Sequence, residues 1–471
     1  MPVSYEEHVD QLTNKLNGAI PRLKRSNAYY DSKYRLESIG IGTPPEMRKL
    51  NVAIGWPRMY LDSIEERLDV ETFRLSGKAD PIERLTDWWK YNRLDEESSL
   101  GHLEALIYGR SYITVSAPGE DDHPDNPLIR VESPLNLYAE VDPRTQKVKR
   151  ALRRYKGPAG SLDEYATLLL PDDTIQLRRS DGAMSRWTVE SRVNHKLGRV
   201  LVVPLLNRER LSERDGRSEI TPEIRSMTDA ASRVMMNLQS AAELMAVPQR
   251  VIFGADAESI AGTGSQREIL DAYYARIIAI ENEMGKATQF TAADLRNFVE
   301  GLEQIAKHVA SYTGLPPQYL AFASDNPASA EAIRSAEARL VKKAERRARM
   351  FGGSWEEVMR LAVLVMDGKI PDDYYRLETV WRDPSTPTFA AKADAVSKLY
   401  NSGNGIIPKE RARMDLGYSA EERAEMAKQD DAEPVARLNA LVGAPIPGQH
   451  RPPATPPPNP AAKDAPAQVA A

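Results

Sequence analysis

Cysteine is absent from all 471 residues. That excludes a disulfide framework, thiolate metal sites and a cysteine nucleophile. Histidine is scarce. The six residues stand at 8, 102, 123, 195, 308 and 450, and no two share a metal-ligand spacing. No Asn-X-Ser/Thr sequon occurs. Together with the missing cysteines this points to synthesis in a reducing, intracellular place. Long apolar runs are missing too. Leu201–Leu206 and Leu361–Met366 are far too short to span a bilayer. The opening MPVSYEEHVDQL is polar and acidic, unlike a signal peptide. The expectation is a soluble chain with no membrane partner.

Catalytic signatures are missing in the same way. There is no GxxxxGK[S/T], no HExxH and no GxSxG. Gly262-Thr263-Gly264 lacks the third glycine and the βαβ context of a dinucleotide site. No cofactor, metal or catalytic residue is expected. The net charge of −5 shows no basic excess, so tight clamping of nucleic acid is disfavoured. Passage of nucleic acid through a hole remains open, because a conduit gains nothing from gripping phosphates.

What is present is length, ordinary composition and pattern. A chain of 471 residues implies about three domains. The first third reads as helical. Ser4 with Glu7 forms a capping box before Val9, Leu12 and Leu16. Asp80-Pro81-Ile82-Glu83 is a second, opening a helix with Leu85, Trp88 and Trp89. A helix over 96–108 ends at Gly109. From 110 to 206 the pattern is strand-like. Short turns at Asp142-Pro143-Arg144-Thr145, Pro171-Asp172-Asp173 and Asp181-Gly182 imply an antiparallel meander.

Two apolar stripes stand out next. Ile224, Met227, Ala231, Val234, Leu238, Ala241 and Met245 recur at alternating spacings of three and four, between Thr221-Pro222 and Pro248. Leu295, Phe298, Leu302, Ile305, Val309 and Tyr312 repeat the pattern, closed by Gly314. Each predicts a long helix. Between them, 247–290 reads as a small α/β insertion: a strand over 249–253, a helix over 265–280 and a short strand over 287–290. A loop over 313–329 follows. A long helix then runs from 330 to 366, interrupted at Gly352-Gly353, where paired glycines predict a kink. Shorter helices continue to 441. Residues 442–471 are rich in proline and alanine and predict disorder.

Several motifs carry two readings. The pairs Asp121-Asp122, Asp172-Asp173 and Asp372-Asp373 are either carboxylate pairs for chemistry or turn formers, and their neighbouring prolines favour turns. Lys147, Lys149, Arg150, Arg153, Arg154 and Lys156, and also Arg339, Lys342, Lys343, Arg346, Arg347 and Arg349, are either phosphate contacts or solvated faces neutralised by acids. No interleaved aromatics favour the first. Trp88, Trp89 and Tyr91 are either a ligand platform or core, and helical spacing favours core.

The order of parts resembles the portal proteins of tailed bacteriophages, in the branch common among phages of actinobacteria. The resemblance covers the chain to about residue 441 and includes wording in patches. These are Trp56-Pro57 to Arg67-Leu68, Val203-Pro204-Leu205, Glu243-Leu244-Met245-Ala246-Val247-Pro248-Gln249-Arg250, Gly314-Leu315-Pro316-Pro317 and Ser324-Asp325-Asn326-Pro327-Ala328-Ser329.

The resemblance implies an α+β, mainly helical portal architecture in a closed homo-oligomeric ring of about twelve copies at one capsid vertex. Residues 1–220 would be the wing, with the meander inside it, and 221–246 and 291–312 the stem helices. Residues 247–290 would be the clip, 313–329 the tunnel loop, 330–387 the kinked wing helix and 388–441 the crown. Implied partners are the large terminase, head-completion or adaptor proteins, major capsid and scaffold proteins, and double-stranded DNA in the channel. Synthesis in the host cytoplasm and residence in the virion follow. Gln318, Tyr319, Ser324, Asp325 and Asn326 would face DNA. No Lys or Arg stands in that loop, which suits sliding, since each phosphate pairing adds a salt-dependent barrier. Another head-tail connector or scaffold subunit, or a DNA-processing enzyme with a helical arm, are the competing readings.

Overall fold

The computed structural model describes residues 4–34, 52–78, 80–158, 161–180, 186–246, 250–253, 277–280, 295–320, 330–385, 389–400, 404–418 and 422–430. The fold is α+β. The chain forms two compact units, Met1–Ser385 and Thr386–Ala471.

The first unit opens with α1, Tyr5–Tyr30. Its start matches the capping box: the Glu7 backbone N–H donates to Ser4 Oγ at 3.2 Å. Helix α2, Trp56–Glu65, follows with proline in its first turn. Strand β1, Val70–Leu75, was not visible in the pattern. Helix α3 spans Glu83–Tyr91 and α4 spans Leu94–Tyr108. The cap expected at Asp80 does not form. Pro81 bridges to Arg74 and the Ile82 N–H donates to the Phe73 carbonyl at 2.9 Å. This segment therefore follows β1, and the helix starts at Glu83 with no side-chain cap. Gly109 closes α4 with a left-handed φ of 91°, as expected.

The strand-rich stretch divides into two sheets. Strands β2 (Arg110–Ser116) and β3 (Leu128–Glu132) lie with β9 (Val202–Leu206) in the order β3-β2-β9. Strands β4 (Leu137–Val141), β5 (Val148–Lys156), β6 (Glu164–Leu169), β7 (Asp173–Arg179) and β8 (Thr188–Asn194) form the antiparallel meander in sequence order. The meander holds over 137–194. The strands on either side of it leave the run and pair with each other, Arg110 opposite Leu206 and Thr114 opposite Val202. Val9 and Leu12 of α1 cover one face of the meander, against Leu152, Leu168, Ile175 and Leu177.

Helix α5 spans Pro222–Ala246. Strands β10 (Arg250–Phe253) and β11 (Ile277–Ile280) pair in parallel. Residues 277–280 were expected to end a helix. The β-branched isoleucines of the run Ile277-Ile278-Ala279-Ile280 favour a strand instead. The strand expected over 287–290 lies outside the described residues. Helix α6 spans Arg296–Thr313 and closes on Gly314, φ 80°. Leu295 precedes it without a side-chain cap. The cap expected from Thr291 and Asp294 lies outside the described residues. Helix α7, Pro317–Leu320, is a single turn.

Helix α8, Ala330–Asp367, is the strut of the unit. Leu340, Ala344, Phe351, Trp355, Val358, Met359 and Ala362 are buried along one side. The interruption expected at Gly352-Gly353 is absent, and the helix runs unbroken through both. Gly352 serves close approach instead. A Cβ there would lie 3.1 Å from Trp381 Nε1, and the Thr379 hydroxyl donates to the Gly352 carbonyl at 3.0 Å. Both partners belong to β12, Leu377–Trp381, which pairs antiparallel with β1 across most of the sequence. Trp88 and Trp89 are buried and Tyr91 is exposed, so the pair is core. Trp89 meets Trp355 edge to face at 4.9 Å.

The second unit holds α9, Phe389–Tyr400, and α10, Lys409–Leu416. Val396 and Ala412 are buried within it.

Candidate functional site

The two stripe-bearing helices meet each other. Thr221, at the start of α5, and Tyr312, at the end of α6, share a hydroxyl hydrogen bond at 3.1 Å, so the helices run antiparallel. The Tyr312 hydroxyl also reaches Glu223 at 3.1 Å. Ala231, Leu302 and Val309 are buried in one cluster, with Met227, Val234 and Ile305 packed on it. Ala231 and Ala306 are small enough to let the helix backbones approach. Ile224 is buried in the main core below. Leu238, Leu295 and Phe298 are half-buried. The side chain of Met245 lies outside the described residues. The seam is thus dry at its base and more open toward the other end.

Trp56 sits in the same cluster and was not singled out as a packing residue. The signal was a tryptophan beside proline at a helix start. A second lock is Tyr34, whose hydroxyl lies 2.6 Å from Ser232 Oγ on α5, with both groups buried. Tyr29 donates to Asp229 at 3.0 Å, and burial, then that carboxylate, pushes its hydroxyl up to about 12. We expect Tyr34→Phe to lower stability by about 1–3 kcal/mol, because it leaves the buried Ser232 hydroxyl without this partner. Denaturant melts of the full chain measure it, and a change below a few tenths would show that the lock contributes nothing.

The loop after α6 begins rigidly. Gly314 takes the left-handed turn and Leu315 is buried. The Tyr319 hydroxyl donates to Glu337 on α8 at 2.8 Å, and Arg67 lies 3.7 Å from the same carboxylate. Gln318 is exposed. Of the expected DNA-facing residues, then, Tyr319 is tied back to α8 and Gln318 faces outward. Ser324, Asp325 and Asn326 lie outside the described residues.

Beneath the paired helices is a buried ionic joint that the sequence did not disclose. Arg347 of α8 and Glu219, just before α5, are both buried. Arg347 Nε donates to Glu219 Oε1 at 3.0 Å, and its Nη2 reaches Glu209 at 2.7 Å. Tyr60 donates to Glu219 Oε2 at 2.8 Å and Asn207 to Oε1 at 3.0 Å. Lys343 donates to the Tyr60 hydroxyl. Burial alone would raise the Glu219 carboxyl, but Arg347, Lys343 and the two neutral donors outweigh it and hold it low. Burial lowers the Lys343 ammonium. The spacing of the basic cluster on α8 showed a charged face. It did not show that one member turns inward.

Most of the basic cluster on β5 is neutralised within the chain. Lys149 pairs with Asp142 at 3.0 Å, Arg150 with Glu140 at 2.8 Å, Arg153 with Glu132 at 2.9 Å and Arg154 with Glu164 at 3.2 Å. Asp172 accepts from the Gly198 N–H at 2.9 Å, and Asp173 from Arg192 and Asn194. Asp122 accepts from the Gly119 N–H at 2.9 Å. These acids build turns and cross-strand pairs. Among the described residues no cluster of histidine, aspartate and glutamate is placed to hold a metal. No helix among them is long and apolar enough to cross a membrane.

The family described as "Phage portal protein, SPP1 Gp6-like" matches residues 9–433. The chain belongs to this phage portal protein family. A portal protein of Mycobacterium phage L5 is 50% identical over 466 residues, covering 96% of this chain and 95% of that protein. A portal protein of Mycobacterium phage D29 is 50% identical over 440 residues, covering 92% and 90%. Among solved structures, a chain from "Neck of native GTA particle computed with C12 symmetry" aligns with a TM-score of 0.38 at 13% identity, over 77% of this chain and 90% of that one. At that score the likeness adds nothing to the assignment. The match to the portal family covers α5, α6, the joint and α8, so the seam and Glu219–Arg347 lie inside the matched region.

Proposed function

We propose that this portal protein closes into a ring of about twelve copies at one vertex of the phage head, and that the ring is the channel for packaging and ejecting the genome. The observation that carries it is the antiparallel pair α5–α6, rooted in the first unit, with the β10–β11 pair on the segment between its helices. By the 1.5 Å rise, the 25 residues of α5 span about 37 Å, and the 18 of α6 about 27 Å. These are the stem walls. Their half-buried residues, Leu238, Leu295 and Phe298, become the contacts between copies.

On this reading residues 1–220 and 330–387 form the wing, 247–290 the clip and 388–441 the crown. The clip receives the large terminase during packaging and head-completion or adaptor proteins afterwards. Major capsid and scaffold proteins meet the wing. The protein is made in the host cytoplasm and stays in the virion. It has no catalytic role of its own, and ATP hydrolysis belongs to the terminase.

Residues 313–329 form the tunnel loop, with Gln318, Ser324, Asp325 and Asn326 toward double-stranded DNA. Tyr319 serves as the anchor of that loop through Glu337. A loop without cations lets phosphates pass, because each ion pair formed with the backbone must be broken at every step. Replacing Asp325 and Asn326 with lysine is expected to slow or stall packaging in an in vitro assay with procapsids, most strongly at low salt. Packaging at the wild-type rate would place the loop away from DNA.

A further inference from the structure

Three groups from distant parts of the chain meet beside α7. The Tyr319 hydroxyl donates to Glu337 Oε1 on α8 at 2.8 Å. Arg67 stands just past the end of α2. Its Nη2 lies 3.7 Å from the same Glu337 oxygen, and its Nη1 donates to the Ser63 carbonyl at 2.7 Å. The Arg67 and Glu337 side chains are only 7% and 12% exposed, so water screens their attraction little. Burial first, then the Glu337 carboxylate, raises the Tyr319 hydroxyl, and Arg67 opposes both.

The element held there cannot hold itself. Helix α7 is four residues long, and a single turn fixes more backbone torsions than its hydrogen bonds repay. Side chains must set its place. Leu320 packs on both the main core and the stem cluster, but apolar burial has no preferred direction. The Tyr319 hydrogen bond is directional, and it ends on an oxygen that faces Arg67. Gln318, exposed, stands next to Tyr319 on the same turn. Any rotation of α7 about its own axis moves the two together. Helix α2 is itself seated at two more points. Trp56 lies in the stem cluster, and Tyr60 donates to Glu219 in the ionic joint. Arg67 thus ties α7 to the helix that also braces the root of α5.

We propose that Arg67 is a positioning residue, which through Glu337 and Tyr319 fixes α7 against α8 and so holds Gln318 toward the channel. The channel part of this rests on the ring reading above. The test is hydrogen exchange on the full chain, joined to in vitro packaging by procapsids that carry the variants. In Arg67→Gln the amides of residues 318–320 are expected to exchange about tenfold faster, the equivalent of one hydrogen bond to a charged group. The amides of 351–363 in α8 are expected to keep their wild-type rates. Arg67→Lys, which keeps a cation near Glu337, is expected to fall between. Tyr319→Phe removes only the hydroxyl and leaves the ion pair whole. It is expected to speed the same amides alike, and it carries the test if Arg67→Gln does not fold. Both Arg67→Gln and Tyr319→Phe are expected to package more slowly at unchanged ring yield. Wild-type exchange at 318–320 in these two variants would overturn the inference and leave the ring reading standing. Equal acceleration along α8 would overturn it as well, since Arg67 would then brace the whole unit. Faster exchange with packaging at the wild-type rate would remove Gln318 from the channel and overturn the positioning role. A wild type that forms no rings would overturn the ring reading and the channel role with it, while the exchange rates would still report the hold on α7.

Discussion

Arg347→Met is expected to destabilise the first unit by about 3–5 kcal/mol, the cost of stranding a buried carboxylate. Glu219 keeps its bonds from Tyr60 and Asn207 in that variant, but it loses the guanidinium that holds its charge in the interior. The carboxyl, held low in the wild type, then rises and takes up a proton more readily. Glu209 loses less, because its side chain is 41% exposed and water replaces the partner. Adding Glu219→Met to Arg347→Met removes both buried charges, and the double variant is expected to recover at least half of the loss. Urea melts of the two single variants and the double give the coupling energy. Additive losses would show that Glu219 and Arg347 act independently. The joint connects α8 to the root of α5, so the single variants are also expected to lower ring yield before they unfold the chain.

Stability is expected to fall by about 2 kcal/mol between pH 7 and pH 5 on account of His102 alone. The imidazole is buried, its Nε2 accepts from Trp355 Nε1 at 2.9 Å, and its ring stacks on Phe351. Burial holds its pKa near about 3, against an ordinary 6.5. Between those values the unfolded chain binds a proton that the folded chain refuses. The unfolded state therefore gains as pH falls, and stability present above 6.5 is lost on the way down to about 3. Carboxylates such as Glu219 act in the same direction, but lower, because their unfolded values lie near 4.5. Glu65, Glu104, Glu132 and Glu356 are raised by burial and act the other way as pH falls, so the histidine is isolated by comparing the wild type with a variant that lacks it. His102→Gln keeps an acceptor for the Trp355 N–H and removes the titration. The fall of about 2 kcal/mol attributed to His102 is expected to be missing from this variant between pH 7 and pH 5, and a slope equal to that of the wild type would clear His102. His8 and His195 are also lowered by burial, but both are partly open to water and contribute less.

Local signals in the sequence carried far. The Ser4 cap, the Gly109 and Gly314 terminators and the turns at 142–145 and 171–173 stand where the residue types put them. Each depends on neighbours a few residues away. The two stripes on α5 and α6 were legible for the same reason, since a seam is a periodic property of one helix. Pairings between distant segments were not legible. Strand β1 finds β12 about three hundred residues later, and β2 finds β9 around an entire second sheet. Nothing in Val70–Leu75 names its partner. Gly352-Gly353 misled because glycine signals a helix break or a close approach with the same letter, and Trp381 decides between them. The ionic joint was hidden in a run of basic residues, where charge composition is visible but direction is not. Tyr319 shows the same limit: its place in the loop was readable, its bond to Glu337 was not.

Negative-stain images of the purified full chain bear most directly on the claim that α5 and α6 wall a shared pore. Closed rings with a central opening of about duplex width are the predicted result. Compact single subunits at every concentration, with no symmetric neighbours and no axial hole, would contradict it.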